Sequence, residues 1–182
     1  MSVEVDVRDL LGHPGTSREV HVERPVGGMA TPLAVVPEDV PVGADLLFES
    51  VVEGLLVSGS VQGLMVLSCA RCLRPFESPF DLSVQELFAP GARPEDDEYP
   101  VEEGAVDLEP MIRDSVVLAM PFSPLCRPDC LGLCARCGGD RNTGECTCPP
   151  EVADPRWEAL SSPHLHLDLD GEPGSVGEPG PT

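Results

Sequence analysis

Six cysteines fall within 23 residues: C126-RPD-C130-LGL-C134-AR-C137-GGDRNTGE-C146-T-C148. A further pair, C69-AR-C72, lies upstream and completes the total of eight. Eight thiols are the number needed for two tetrahedral metal sites of four ligands each. Structural Zn²⁺ takes four ligands in a tetrahedron, and thiolate suits it. A C-x₂-C pair can place both sulfurs on one ion while the backbone between them turns back. Cys69–Cys72 and Cys134–Cys137 both have this form, and Gly138 and Gly139 permit the tight left-handed backbone such a turn needs. The spacing favours Cys134, Cys137, Cys146 and Cys148 as one set, which leaves Cys69, Cys72, Cys126 and Cys130 for the other. The pairing itself is not settled by spacing alone. Iron–sulfur ligation and a redox C-x-x-C are lesser alternatives; the strand–helix context of a thioredoxin-like motif is missing. Closed all-cysteine sites leave no open position, so metal catalysis is not expected.

Oxidation state decides whether such thiols bind metal or cross-link. The first residues, MSVEVDVRDL, have no basic start and no apolar stretch of the secretory kind. The expectation is a cytoplasmic chain with reduced thiols, in which clustered cysteines read as ligands. No apolar run is long enough to span a membrane.

Charge narrows the partners. The net charge is −21, and all 11 basic residues are arginine. A generic nucleic-acid binder would be basic. Five arginines, Arg71, Arg74, Arg127, Arg136 and Arg141, lie in the two cysteine-bearing segments. These are the candidate contacts to nucleic acid or to another anionic partner; the plainer alternative is that they are polar surface. No nucleophile elbow, P-loop or dinucleotide-binding glycine pattern is present, and no small-molecule substrate is implied. His13, His21, His164 and His166 read as solvated side chains, and Tyr99 and Trp157 are too isolated to stack bases.

The elements that must hold the cysteines follow from periodicity. Val3, Val5 and Val7 alternate with charged residues, which is the pattern of a half-buried strand. REVHVE suggests a second. Runs at 45–53 and 55–68 suggest more, with Gly54, Gly59 and Gly63 as bends or bulges. FDLSVQELFAP continues the series, with Phe80, Leu82, Val84 and then Leu87 facing one way. Residues 91–106 are acidic and read as an exposed loop. A helix follows over 107–120, with Asp107 as N-cap, Pro110 in the first turn and an apolar stripe of Leu108, Met111, Ile112, Val116 and Ala119. Pro121 stops it. Aromatic residues are only 4% of the chain, so the core must rest mainly on Val and Leu.

The reading is an α+β fold: an antiparallel sheet or partly open barrel, one packed helix, and a C-terminal zinc-knuckle-like cysteine module. It forms a single domain over 1–148, with a β-rich part at 1–90, the acidic loop at 91–106, the helix at 107–120 and the module at 126–148. An acidic Pro/Gly-rich tail, 149–182, is expected to be largely disordered.

The segments C69-ARCLRPF76, D107-LEPMIRDSVVLAMP121 and PLC126RPDC130LGLC134ARCGGDRN142, closing in C146TC148, resemble the YceD family in an actinobacterial-like form. That resemblance implies a role in the synthesis, processing or stability of 23S rRNA and no known enzymatic activity; with no catalytic constellation in the chain, the expectation is a non-enzymatic ribosome-biogenesis factor. The resemblance implies the 23S rRNA or a pre-50S particle as partner; separately, the acidic loop and tail suggest a basic ribosomal protein as another. The resemblance carries over Cys69, Arg71, Cys72 and the six downstream cysteines. The competing expectation is a zinc-dependent protein-interaction module or thiol redox sensor with no rRNA role.

Overall fold

The structure is a computed structural model that describes residues 3–93, 96–149 and 156. It divides into two compact units, Met1–Cys146 and Thr147–Thr182. The tail expected at 149–182, including His164 and His166, lies almost wholly outside the described residues.

The first unit is mostly β. Its strands are β1 (Glu4–Asp6), β2 (Ser17–Pro25), β3 (Ala30–Thr31), β4 (Ala34–Val35), β5 (Pro41–Ser50), β6 (Leu55–Ser68), β7 (Pro75–Pro90), β8 (Tyr99–Glu102) and β9 (Ala105–Asp107). One helix, α1 (Glu109–Ala119), follows them. All nine strands belong to one sheet.

β6 is the spine. It pairs antiparallel with β7 along its whole length, from Leu55↔Phe88 to Ser68↔Pro75. Two strands share its other edge, β5 from Leu55 to Gln62 and β4 at Val66 and Leu67. The period of two explains its place. Leu55, Val57, Val61, Met65 and Leu67 are all buried, so one face of β6 forms the middle of the core. Cys69 has the same parity and is also fully buried. The strand that builds the core therefore aims the first thiol inward.

Several expectations need correction. Gly59 and Gly63 are not bulges, because the β6–β7 register runs through both without a skip. They are glycine because a neighbour occupies the Cβ position: the Asp45 carbonyl oxygen at Gly59 and the Phe80 ring at Gly63. In β7 the inward face continues from Val84 to buried Phe88, while Leu87 is only half-buried. The run expected at 45–53 is shifted to 41–50, and Val52 is exposed in the turn that follows.

The acidic stretch 91–106 is not simply a loop, since it contains β8 and the start of β9. β8 pairs parallel to the end of β7, and the Tyr99 ring stacks on Phe88 with centroids 5.2 Å apart. β9 then pairs with β1, placing Val5 opposite Val106. The sheet thus extends past residue 90, and one of its pairings is parallel.

The helix is shorter than 107–120. Leu108 is its N-cap, and Asp107 acts one residue earlier, where its Oδ1 accepts from the N–H groups of Glu109 and Val3 at 3.0 Å each. Met111, Ile112 and Val116 face the core; Ala119 is exposed and Met120 is buried in its place. Met120 is extended, as the residue before Pro121 must be. Among the described residues no helix is long and apolar enough to cross a membrane.

Candidate metal centre

Cys69 follows β6 directly, and Cys72 ends the short turn between β6 and β7. The segment after α1 meets this turn. Ala70 N–H donates to the Pro124 carbonyl at 2.8 Å, Leu133 N–H donates to the Arg71 carbonyl at 3.0 Å, and Arg71 Nη1 donates to the Cys130 carbonyl at 2.8 Å. These bonds bring Cys126 and Cys130 to Cys69 and Cys72.

All four sulfurs lie within 4.8 Å of one another. Cys69 Sγ is 3.8 Å from Cys130 Sγ, and Cys72 Sγ is 3.7 Å from Cys126 Sγ. A disulfide would need about 2.05 Å. A tetrahedron of sulfurs around an ion at about 2.3 Å has edges of about 3.8 Å, so the spacing fits a Cys₄ ion. Cys69, Cys72 and Cys130 are buried with Phe76 and Leu125 packed against them, while Cys126 is exposed.

The two C-x₂-C turns share one backbone design. Leu73 N–H donates to the Cys69 carbonyl at 2.9 Å, and Gly138 N–H donates to the Cys134 carbonyl at 2.9 Å. Cys69 N–H reaches the Arg74 carbonyl at 3.0 Å, and Cys134 N–H reaches the Gly139 carbonyl at 2.9 Å. The residue after each second cysteine is left-handed, Leu73 at φ 60° and Gly138 at φ 72°. Glycine takes that conformation freely and leucine does not, so the first turn holds a strained, exposed side chain.

Cys134, Cys137 and Cys146 form the start of a second thiol group, with their sulfurs within 4.8 Å of one another. Cys148 follows Cys146 by two residues, within the second unit.

The thiols differ in their electrostatic surroundings. N–H groups at Cys126 and Cys72 pull the pKa of Cys69 down to about 6, against the effect of burial. N–H groups at Cys137 and Arg136 do the same for Cys134, also to about 6. Desolvation within the cluster, and then the other thiols, push Cys126 up to about 12. Cys72 accepts from the Arg74 N–H, yet desolvation and the thiols of Cys69 and Cys130 shift it upward. Turn geometry favours the thiolates of Cys69 and Cys134, and crowding resists ionisation of Cys72 and Cys126 unless a positive charge neutralises them.

Two polar residues beyond the expected set hold this region together. Asp140 is buried and pairs with Arg74 at 2.6 Å. The N–H groups of Asn142, and then Arg74, keep its carboxyl below the ordinary range. Asn142 Oδ1 accepts from Leu131 N–H at 2.8 Å and from Arg127 Nη2 at 2.7 Å. Their only sequence signal is their place in GGDRN, directly after the second C-x₂-C. Arg71, Arg74 and Arg127 are therefore partnered within the module, although all three are exposed. Arg136 and Arg141 are exposed, and their side chains meet no acidic group among the described residues. His21 sits on β2, where its Nδ1 is 2.7 Å from Asp45 Oδ1, far from the thiols in the sheet order.

Comparison with known proteins gives a consistent picture. A family model described as "Large ribosomal RNA subunit accumulation protein YceD" matches residues 57–162. An uncharacterized protein of Mycobacterium tuberculosis is 38% identical over 171 residues, covering 86% of this chain and 78% of that protein. Another, from Mycobacterium leprae, is 34% identical over 168 residues, covering 87% and 76% respectively. A chloroplastic large ribosomal RNA subunit accumulation protein, YCED homolog 1 of Zea mays, is 38% identical over 53 residues, 29% of this chain and 18% of that protein. No solved structure matches the chain.

Proposed function

The chain belongs to the YceD family of large ribosomal RNA subunit accumulation proteins, and on that premise we propose that it is a non-enzymatic, cytoplasmic ribosome-biogenesis factor supporting 23S rRNA synthesis, processing or stability. The family match, which runs from β6 through the cysteine module, is the observation that carries this reading.

In this reading two Zn²⁺ ions hold the module, each in a Cys₄ set. Cys69, Cys72, Cys126 and Cys130 supply one set. Cys134, Cys137 and Cys146 supply the other, with Cys148 as its fourth thiolate. The zinc has a structural task, clipping the end of β6 to the chain that leaves α1. A closed thiolate set offers no position for substrate. The functional domain is 1–148, and 149–182 is an accessory acidic tail.

The partner is 23S rRNA or the pre-50S particle. Of the five candidate arginines, all exposed, Arg71, Arg74 and Arg127 are held by partners in the module, which leaves Arg136 and Arg141 to meet phosphate. The acidic surface along β8, including Glu98 and Glu102, suits a basic ribosomal protein. The charge-reversal pair Arg136→Glu/Arg141→Glu is expected to weaken co-sedimentation with large-subunit precursors by roughly tenfold, and to reduce the salt dependence of what remains. Unchanged co-sedimentation at equal protein level would remove these arginines from the interface.

A second reading has one observation of its own. Cys126 is exposed while the other three thiols of its group are buried, so an oxidant could reach one ligand and release the metal. A zinc-dependent interaction module or redox sensor would then lose zinc in peroxide and change protein partner while 23S rRNA levels stay constant.

A further inference from the structure

We propose that Asn142 is a positioning residue for the first thiol group, and that through it the two groups bind metal cooperatively. This rests on reading the thiols as metal ligands.

The geometry begins with the amide. Asn142 Nδ2 donates to Cys130 Sγ at 3.6 Å and to Asp140 Oδ1 at 2.7 Å. Its Oδ1 accepts from Leu131 N–H and Arg127 Nη2. The opposite amide orientation would turn an oxygen toward the Asp140 carboxylate and an NH₂ group toward two donors. The surroundings therefore determine that N–H faces the sulfur.

An N–H donated to a thiolate takes up part of its charge. Four thiolates around a dication leave a net negative cluster, so such a donor favours the loaded state, and outer partners of this kind orient ligands as well. Asp140 holds the amide in place. It accepts from the Asn142 backbone N–H at 2.8 Å and pairs with Arg74, two residues beyond Cys72.

The coupling follows from where Asn142 sits. It lies between Cys137 and Cys146, on the loop that a metal in the second group would close. A residue that serves the first group is thus presented by the second. Loss of metal from the second group frees the loop and withdraws the donor from Cys130.

The test uses the full-length, zinc-loaded protein, challenged with a chelator whose colour reports released zinc. The wild type should release two equivalents. Asn142→Ala should release one of them about tenfold faster. Asn142→Asp keeps the acceptor for Leu131 and Arg127 but sets an oxygen against Cys130, and should release it faster still. In cobalt-substituted protein, Asn142→Ala should move the thiolate-to-cobalt charge-transfer band to lower energy, a change that loosened packing alone would not produce. With Cys134→Ser/Cys137→Ser as background, Asn142→Ala should add much less than it does in the wild type. Two equivalents leaving at wild-type rates with an unmoved band would overturn the role of Asn142 and leave the metal reading intact. A full, independent effect of Asn142→Ala in the serine background would overturn the coupling. A wild type that binds no zinc would overturn the metal reading and this inference together.

Discussion

Cys69→Ser is expected to remove one metal equivalent and to lower stability by about 2–4 kcal/mol, the range of a lost native cross-link. For a chain of this size that is a fall in thermal midpoint of roughly 5–15 °C. Cys69 and Cys130 are 61 residues apart. Between them lie β7, β8, β9 and α1, and metal bound by both thiols closes that excursion onto the end of β6. Without the ion, three thiols remain crowded, two of them buried. Serine is nearly isosteric, so the loss would report ligation rather than packing. The same reasoning predicts that a chelator lowers the wild-type midpoint by a similar amount and has a smaller effect on Cys69→Ser. Equal metal content and equal midpoints in the two proteins would show that the first thiol group does not hold an ion.

Gly59→Ala should be more damaging still, although it is chemically slight. Gly59 lies in the middle of β6 at φ 155°, between Leu46 of β5 and Val84 of β7. A Cβ there would stand 2.0 Å from the Asp45 carbonyl oxygen and 2.9 Å from the Leu46 Cα. Both are backbone atoms in a paired strand, so relief requires moving β5 off the spine. The expected cost is about 4 kcal/mol or more, at the extreme of single substitutions, read as a large fall in denaturation midpoint or as failure to accumulate folded protein. Gly91→Ala is the control. Gly91 is also left-handed, at φ 80°, but nothing lies within 4 Å of its added Cβ. It should cost only about 1–2 kcal/mol of conformational strain. Equal effects at the two positions would mean that backbone angle, and not the approach of β5, requires glycine in the spine.

Local order explains most of what could be read directly from the chain. The alternation Leu55, Val57, Val61, Met65, Leu67 marks β6 because side-chain direction in a strand repeats every two residues. The helix is legible from Met111, Ile112 and Val116 and from Pro121, and the C-x₂-C turns from their spacing and the glycine after Cys137. In each case the physical cause lies within a few residues of its effect. The family, too, is carried by such short motifs in order. β8 and β9 escape this reading because they are short and set among acidic residues. What makes them strands is Phe88 under the Tyr99 ring and β1 beside Val106, and neither is a neighbour in sequence. Gly59 was recognisable as a special position, but its cause is a carbonyl on another strand. The arginines look alike in the chain. Only folding commits Arg74 to Asp140 and Arg127 to Asn142, and leaves Arg136 and Arg141 without an acidic partner among the described residues. Asn142 illustrates the limit most sharply. Its amide is unremarkable in GGDRN, and it gains a role only where tertiary contacts bring a thiol 12 residues away onto its N–H and a distant arginine onto the aspartate that aims it. Periodicity and spacing therefore determine the longer elements and the ligand types, but not short strands such as β8 and β9. Long-range contacts decide which of them meet, because a side chain's partners are set by the three-dimensional path of the whole sheet.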